Sequence, residues 1–244
     1  MILRAITFNM CHGQGLDDKI DVKRQAEFLK KLKPDIIFLQ EIDMYTQRVD
    51  NKDLIYSLSK HVGLMYRSMG INIKYKNGFY GDGLLCRFPI EYSTNYLMPL
   101  IDDAHEQRGL LHNKISFGTT RLNLFSVHLS TNEKERILAI KELIRVIKKL
   151  PPEEIVIVGG DFNVGVTRIG PHKYTCEKKS SYPEYQLLSK LLNKVDNSED
   201  TWFSAEGVGC IDTMFYSKGI QAVKFETIKT KLTDHSAVMV EFNI

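Results

Sequence analysis

Apolar and polar positions along this chain switch repeatedly between a two-residue and a 3.6-residue period. Met1 leads into Ile2-Leu3-Arg4-Ala5-Ile6-Thr7-Phe8, a strand pattern running to about Phe8. Asp21 then caps a segment in which Val22, Ala26, Leu29 and Leu32 recur at helical spacing until Pro34 stops it. Asp35-Ile36-Ile37-Phe38-Leu39-Gln40-Glu41 reads as a buried strand ending in polar groups, and a helix over 53–62 closes on Gly63. Asn77-Gly78 predicts a hairpin between 71–76 and 79–88, and Gly118-Thr119 a second between 110–117 and 121–129. The clearest helix covers 133–150. Ile137, Ile140, Ile144 and Ile147 line one face beside Leu143, and Pro151-Pro152 ends it.

The most informative stretch follows. Ile155-Val156-Ile157-Val158 is a run of β-branched residues that marks a strand covered on both faces. It leads into Gly159-Gly160-Asp161-Phe162-Asn163, where the glycine pair is expected to let the backbone turn tightly. Asp161 and Asn163 would then project into a loop and hold a water molecule between them. A structural turn closed by an Asx-type hydrogen bond would show the same five residues. A helix near 184–193 carries Leu187, Leu188, Leu191 and Leu192, and strands are expected near 209–217, 222–228 and 237–242. Hairpins mixed with helical crossovers predict an α/β (α+β) chain. Two mixed sheets would pack face to face, with helices on both outer sides, in one domain over 1–244.

Composition narrows the class without choosing a function. Of 244 residues, 43% are hydrophobic and 26% charged, which is enough apolar material for a sizeable core. The net charge of +3 permits a nucleic-acid or anionic-lipid partner without demanding one. Cys11, Cys86, Cys176 and Cys210 contain no Cys-x-x-Cys pair, which argues against a zinc or redox motif. Met1 leads straight into a strand pattern instead of a basic and then apolar leader, and no apolar run approaches bilayer length. The expectation is a reducing, cytoplasmic location.

Polar residues recur where apolar strands stop. Asn9 follows Ile6-Thr7-Phe8, Glu41 follows the second strand, and His128 follows Leu124-Phe125-Ser126-Val127. Asp212 lies within Cys210-Ile211-Asp212-Thr213-Met214-Phe215, where a carboxylate is costly unless paired. Asp234-His235 precedes the last strand. Carboxylates, amides and histidines converging at strand ends form the kind of set used in metal-assisted hydrolysis.

Six motifs carry a family resemblance: Thr7-Phe8-Asn9, Leu39-Gln40-Glu41, Ser126-Val127-His128-Leu129, Gly160-Asp161-Phe162-Asn163, Ile211-Asp212 and Thr233-Asp234-His235. In this order the chain resembles the endonuclease/exonuclease/phosphatase superfamily, which includes deoxyribonuclease I, abasic-site endonucleases, neutral sphingomyelinases and inositol-polyphosphate 5-phosphatases. The resemblance implies a four-layer α/β sandwich with two central mixed sheets. It also implies a divalent-metal-dependent phosphoesterase, with a phosphodiester as the expected substrate. Glu41 would be the principal ligand of Mg²⁺ or Mn²⁺, with Asn9 and Asp234 completing the metal set. Asp161 would orient or deprotonate the attacking water, with Asn163 fixing its geometry and contacting a phosphate oxygen. His235 would contact the phosphate or act as acid or base, with Asp212 accepting its other ring N–H. His128 would donate to a non-bridging oxygen.

Two segments resemble a bacterial subgroup of the same family. Arg108, in Glu106-Gln107-Arg108-Gly109, would clamp a substrate phosphate. Asp82 stands where that subgroup usually has asparagine, and would repel an anionic substrate unless it binds metal or pairs with Arg108. Cys210 and Thr213 stand where a basic and an aromatic residue are typical, which bears on specificity more than on chemistry. The ester itself is left open among DNA or RNA, a membrane lipid and a small soluble phosphoester. A binding protein that kept the fold and lost turnover is the non-enzymatic alternative. Trp202, ten residues before Asp212, falls too early for the aromatic of abasic-site enzymes. The 71–88 hairpin, with Ile73, Tyr75, Phe79 and Tyr80, is either a core-packed pair or an interfacial wedge.

Overall fold

The computed structural model describes residues 1–101, 105–171, 173–205 and 207–244. One sheet is built from β1 (Ile2–Asn9), β2 (Ile36–Met44), β3 (Tyr66–Tyr75), β4 (Gly78–Cys86), β15 (Gln221–Ile228) and β16 (Ala237–Asn243). Its spatial order is β15-β16-β1-β2-β4-β3. The other is built from β5 (Ile90–Leu97), β6 (Gly109–Phe117), β7 (Thr120–His128), β8 (Ile155–Asp161), β11 (Asn193–Lys194) and β14 (Asp212–Tyr216). These lie in the order β11-β14-β8-β7-β6-β5. Two short ribbons pair β9 (Val166–Gly170) with β10 (Lys173–Cys176), and β12 (Trp202–Ser204) with β13 (Gly207–Gly209). The helices are α1 (Val22–Lys31), α2 (Leu54–Val62), α3 (Glu133–Ile147) and α4 (Pro183–Ser189).

The alternation within each buried strand assigns its residues to two different cores. In β2, Ile36 and Phe38 face the opposite sheet, where they join Leu124, Ile157 and Met214. Ile37 and Leu39 face outward onto Ala26 and Leu29 of α1 and Leu54 and Leu58 of α2. In β8, Ile157 points between the sheets, whereas Val156 and Val158 meet Ile140 and Leu143 of α3 and Leu188 of α4. Runs of consecutive apolar residues therefore satisfy both faces of each central strand, each buried side chain contributing about 1.5–3 kcal/mol. The result is four layers: helices, sheet, sheet, helices.

Local signals set the helix ends. Asp21 accepts from the backbone N–H groups of Lys23 and Arg24, and Asp53 accepts from that of Tyr56. Gly63 ends α2 in the left-handed conformation. Helices α3 and α4 are shorter than their periodicity suggests, and Leu191 and Leu192 lie beyond α4. Strand β5 was not foreseen, because it lies at a sheet edge with Tyr92 and Leu97 exposed and has no clean alternation.

The glycine pair corrects the sequence reading. Gly159 and Gly160 lie inside β8, paired with Met214 and Thr213 of β14, and do not form the turn. They are required by close approach. A Cβ at Gly159 would lie 2.5 Å from Phe38 of the facing sheet, and one at Gly160 would lie 2.0 Å from the Val127 carbonyl oxygen. The chain turns afterwards, through Asn163 (φ 49°) and Gly165 (φ 77°).

Candidate functional site

Strand direction gathers the polar residues. Parallel β1 and β2 set Asn9 beside Gln40, so Glu41 follows at the same edge. Parallel β7 and β8 set His128 beside Asp161, and antiparallel β14 sets Asp212 on the other side of Asp161. Three neighbouring strands thus present His128, Asp161 and Asp212 in one row. Glu41 sits in a β-bulge, where the β2–β4 register shifts between Leu39 and Ile42 and φ reaches 58°. Such a bulge re-aims a side chain at the end of a ladder.

Asn9 joins the two sheets. Its Nδ2 donates to Glu41 Oε1 at 3.1 Å and to Asp161 Oδ2 at 3.2 Å. Its Oδ1 accepts the Cys11 backbone N–H at 3.0 Å, which fixes the carboxamide orientation. In this conformation Asn9 offers nitrogen to the carboxylates, and its oxygen is used by the backbone. Asn163 closes an Asx turn, its backbone N–H donating to Asp161 Oδ1 at 2.9 Å. Its Nδ2 donates to the Leu129 carbonyl, also at 2.9 Å. The carboxamide is therefore held beside Asp161 from two directions.

The two site histidines, His235 and His128, are pushed in opposite directions. His235 Nδ1 lies 2.9 Å from Asp212 Oδ2, and its Nε2 is 3.9 Å from Asp161 Oδ2. Burial works against charge on His235. The carboxylates of Asp212 and Asp234, the hydrogen bond to Asp212 and the Asp161 charge outweigh it, and its pKa rises to about 10. His128 is pushed well below the usual histidine range by burial, then by the charges of Arg108 and His235. An Arg108 Nη1 lies 2.9 Å from His128 Nδ1. Because arginine can only donate, neutral His128 carries its proton on Nε2, 3.4 Å from Asp161 Oδ2. Burial and then the Asp212 charge raise Asp161, making it a reluctant anion.

Arg108 Nη1 also pairs with Glu106 at 2.6 Å, so one end of the guanidinium is occupied before any substrate arrives. Asp82 is fully buried and accepts from Asn72 Nδ2 at 3.0 Å, with its pKa raised to about 8 by burial. Its hydrogen-bond partner is this amide and not Arg108. Cys210 and Thr213 share one neighbour. Asn197 donates to Cys210 Sγ and to the Asp212 carbonyl, and accepts from Thr213 Oγ1 at 2.7 Å. Both departures thus brace the strand that carries Asp212.

Glu41, Arg108, His128, Asp161, Asn163, Asp234 and His235 line one groove of ≈ 560 Å³. Asp212 is enclosed behind His235. Several groove residues were not singled out from sequence: Cys11, His12, Gln14, Arg48, Thr131 and Tyr174. Trp202 also lines it, because an isolated bridge sets its backbone against His235 despite the sequence gap to Asp212. Tyr75 and Tyr80 of the first hairpin face the groove, with Arg48 stacked 4.6 Å from the Tyr75 ring.

The donor set suits a hard divalent cation. Glu41 and Asp234 offer carboxylate oxygens, and burial followed by the Asp234 charge raises Glu41. The nearby guanidinium groups are already paired, Arg48 with Asp43 and Arg108 with Glu106. Excess negative charge therefore remains at Glu41 and Asp234, and a cation there would relieve it.

The family model for the Endonuclease/Exonuclease/phosphatase family matches residues 6–235. The chain belongs to this family, whose members are mostly hydrolases acting on phosphoester bonds and typically dependent on a divalent metal. It is 29% identical over 173 residues to the uncharacterized protein YbhP of Escherichia coli strain K12, covering 66% of this chain and 66% of that protein. The chain thus spans just under two thirds of that relative's length. Among solved structures, an endonuclease/exonuclease/phosphatase from Beutenbergia cavernae superposes with a TM-score of 0.77 at 16% identity. That match covers 100% of this chain and 72% of the other. D. rerio TDP2, complexed with a single-strand DNA product, gives 0.72 at 19% identity over 100% and 99% of the two chains. These structural likenesses establish the fold.

Proposed function

We propose that the protein hydrolyses a phosphodiester by in-line attack of water, with a divalent metal ion held at Glu41 and Asp234. The observation that carries this reading is the row His128–Asp161–Asp212 facing Glu41 across the Asn9 bridge, with His235 held by Asp212. A bound divalent ion supplies positive charge to the phosphate and the leaving oxygen. Asp161, raised toward neutrality and held by Asn163 and Asn9, accepts a proton from water at Oδ2 as the nucleophile forms. Nε2–H of His128 donates to a non-bridging oxygen, with the Arg108 contact fixing its tautomer. His235, protonated and oriented by Asp212, contacts the phosphate through Nε2.

The substrate is an extended phosphodiester. A second cavity of ≈ 340 Å³ continues from the groove, sharing Glu106, Arg108, Thr131 and Tyr174 and adding Arg168, His105 and Ser130. Tyr174, partly exposed on the groove wall, provides a ring on which a base could stack, and Arg48 over the Tyr75 ring adds a cationic face, which favours a nucleic acid or nucleotide ester over a lipid. The single-strand DNA product complexed with the similarly folded TDP2 is consistent with this preference. A screen of plasmid DNA, single-stranded DNA and RNA, sphingomyelin, phosphoinositides and small phosphoesters, with an Asp161→Ala control, tests it. Turnover of nucleotide esters alone supports the preference. Turnover of lipid alone rejects it, and good metal binding without turnover of any substrate points to a scaffold.

A further inference from the structure

We infer that the groove holds a second, thiophilic cation site formed by Cys11, His12 and Glu41, selective for a soft or borderline divalent ion such as Zn²⁺. The Cys11 sulfur, a His12 ring nitrogen and a Glu41 carboxylate oxygen all lie within 4.8 Å of one another, and all three residues line the groove. The absence of a Cys-x-x-Cys spacing does not bear on it. The donors come from one turn after β1 and from the bulge of its neighbour β2, so the sheet assembles what linear spacing does not show.

The histidine is prepared to coordinate. His12 Nε2 lies 3.2 Å from Gln14 Oε1, and Gln14 Nε2 donates to Asp18 Oδ1 at 3.1 Å. Because Asp18 can only accept, Gln14 turns its oxygen to His12. The proton of neutral His12 is therefore on Nε2. This leaves a lone pair on Nδ1, which is buried and has no hydrogen-bond partner. A ligating histidine typically has this arrangement, with its other nitrogen tied to an outer polar group.

The three donors select the ion. Zinc binds sulfur at about 2.3 Å and nitrogen or oxygen at about 2.0–2.2 Å, so its ligands lie roughly 3.3–3.8 Å apart. Closing the present cluster requires each donor-to-donor distance to shorten by about 1.5 Å or less, in side chains that are only half-buried. Magnesium takes oxygen and has little affinity for sulfur, so Cys11 discriminates against it. Binding converts the Cys11 thiol to a metal thiolate, and the displaced proton goes to solvent. Glu41 belongs to both sites, so a thiophilic ion competes with the hard ion of the proposed hydrolytic reaction. The consequence is inhibition of the proposed reaction by Zn²⁺ through withdrawal of Glu41 from the hard-ion site.

Titration of the metal-free protein with Co²⁺, followed by ultraviolet and visible absorption, tests the site independently of any catalytic activity. The expected result is a sulfur-to-cobalt charge-transfer band that is displaced by Zn²⁺, weakened by excess Mg²⁺ and accompanied by release of one proton per ion. Cys11→Ser removes the band, whereas Cys176→Ser and Cys210→Ser retain it. Gln14→Ala, which frees the histidine without removing a donor, weakens Zn²⁺ binding roughly tenfold or more. Absence of the band, or an unchanged band in Cys11→Ser, overturns the inference. Because the spectrum requires no substrate, failure of the hydrolase reading leaves this test intact, and failure here leaves that reading standing.

Discussion

At the residue scale, His235 carries the sharpest consequences. Its side chain is buried among Asp212, Asp161 and Asp234, and its proton is held until about pH 10. The folded pKa lies above the unfolded value near 6.5. The resulting stabilisation is therefore fully present below that value and is lost as pH rises toward 10. Metal-free protein should lose on the order of a few kcal/mol relative to His235→Gln between pH 6.5 and 10. Urea unfolding of both proteins across this range measures it, and a constant difference contradicts the assignment. On the proposed hydrolase reading, His235→Ala should lower kcat of the metal-loaded protein by at least about a hundredfold. A near-normal rate would remove His235 from the chemistry. That Asp212 needs a partner was legible in the sequence, because a lone carboxylate within an apolar strand is costly; that the partner is His235 followed only from the family resemblance. The Arg108–His128 contact was not legible, since the two residues are separated by a hairpin and only the β6–β7 register brings them together.

At the element scale, β8 is the strand on which the site depends. Its apolar run was readable as buried, but the reason for its glycines was not. Close approach by Phe38 from the other sheet is a tertiary fact that no local pattern encodes. Gly159→Ala should cost about 1–3 kcal/mol through overpacking. Denaturant unfolding measures that cost, and an unchanged midpoint would show that the sheets can separate there without penalty. Helices α3 and α4 are joined by a buried ion pair, Arg136 Nε to Glu184 Oε1 at 2.6 Å. Removing one partner strands a buried charge, so Arg136→Leu should destabilise by about 3–5 kcal/mol. The Arg136→Leu/Glu184→Leu double variant should recover most of that loss, and a double variant as unstable as the single would argue against stranded charge as the cause. Edge strand β5 and the ribbons at β9–β10 and β12–β13 escaped the sequence reading because they are short or exposed. The ribbons nevertheless supply Tyr174 and Trp202 to the groove.

At the scale of the whole molecule, two sheets present their polar strand ends at one edge, and Asn9 spans the join. The row His128–Asp161–Asp212 belongs to one sheet, and Glu41 belongs to the other. Neither sheet alone forms the proposed site, which explains why six short motifs over almost the whole chain carry the family resemblance while each is weak by itself. The same assembly concentrates buried carboxylates that resist ionisation, so a divalent cation should stabilise the fold as well as enable the reaction. The most direct test is hydrolysis of bis-p-nitrophenyl phosphate by chelator-treated protein titrated with Mg²⁺ or Mn²⁺, alongside Glu41→Ala. Activity that appears on metal addition, disappears with chelator and is lost in Glu41→Ala is the predicted result. Turnover that persists in both the chelated protein and the Glu41 variant would contradict the account.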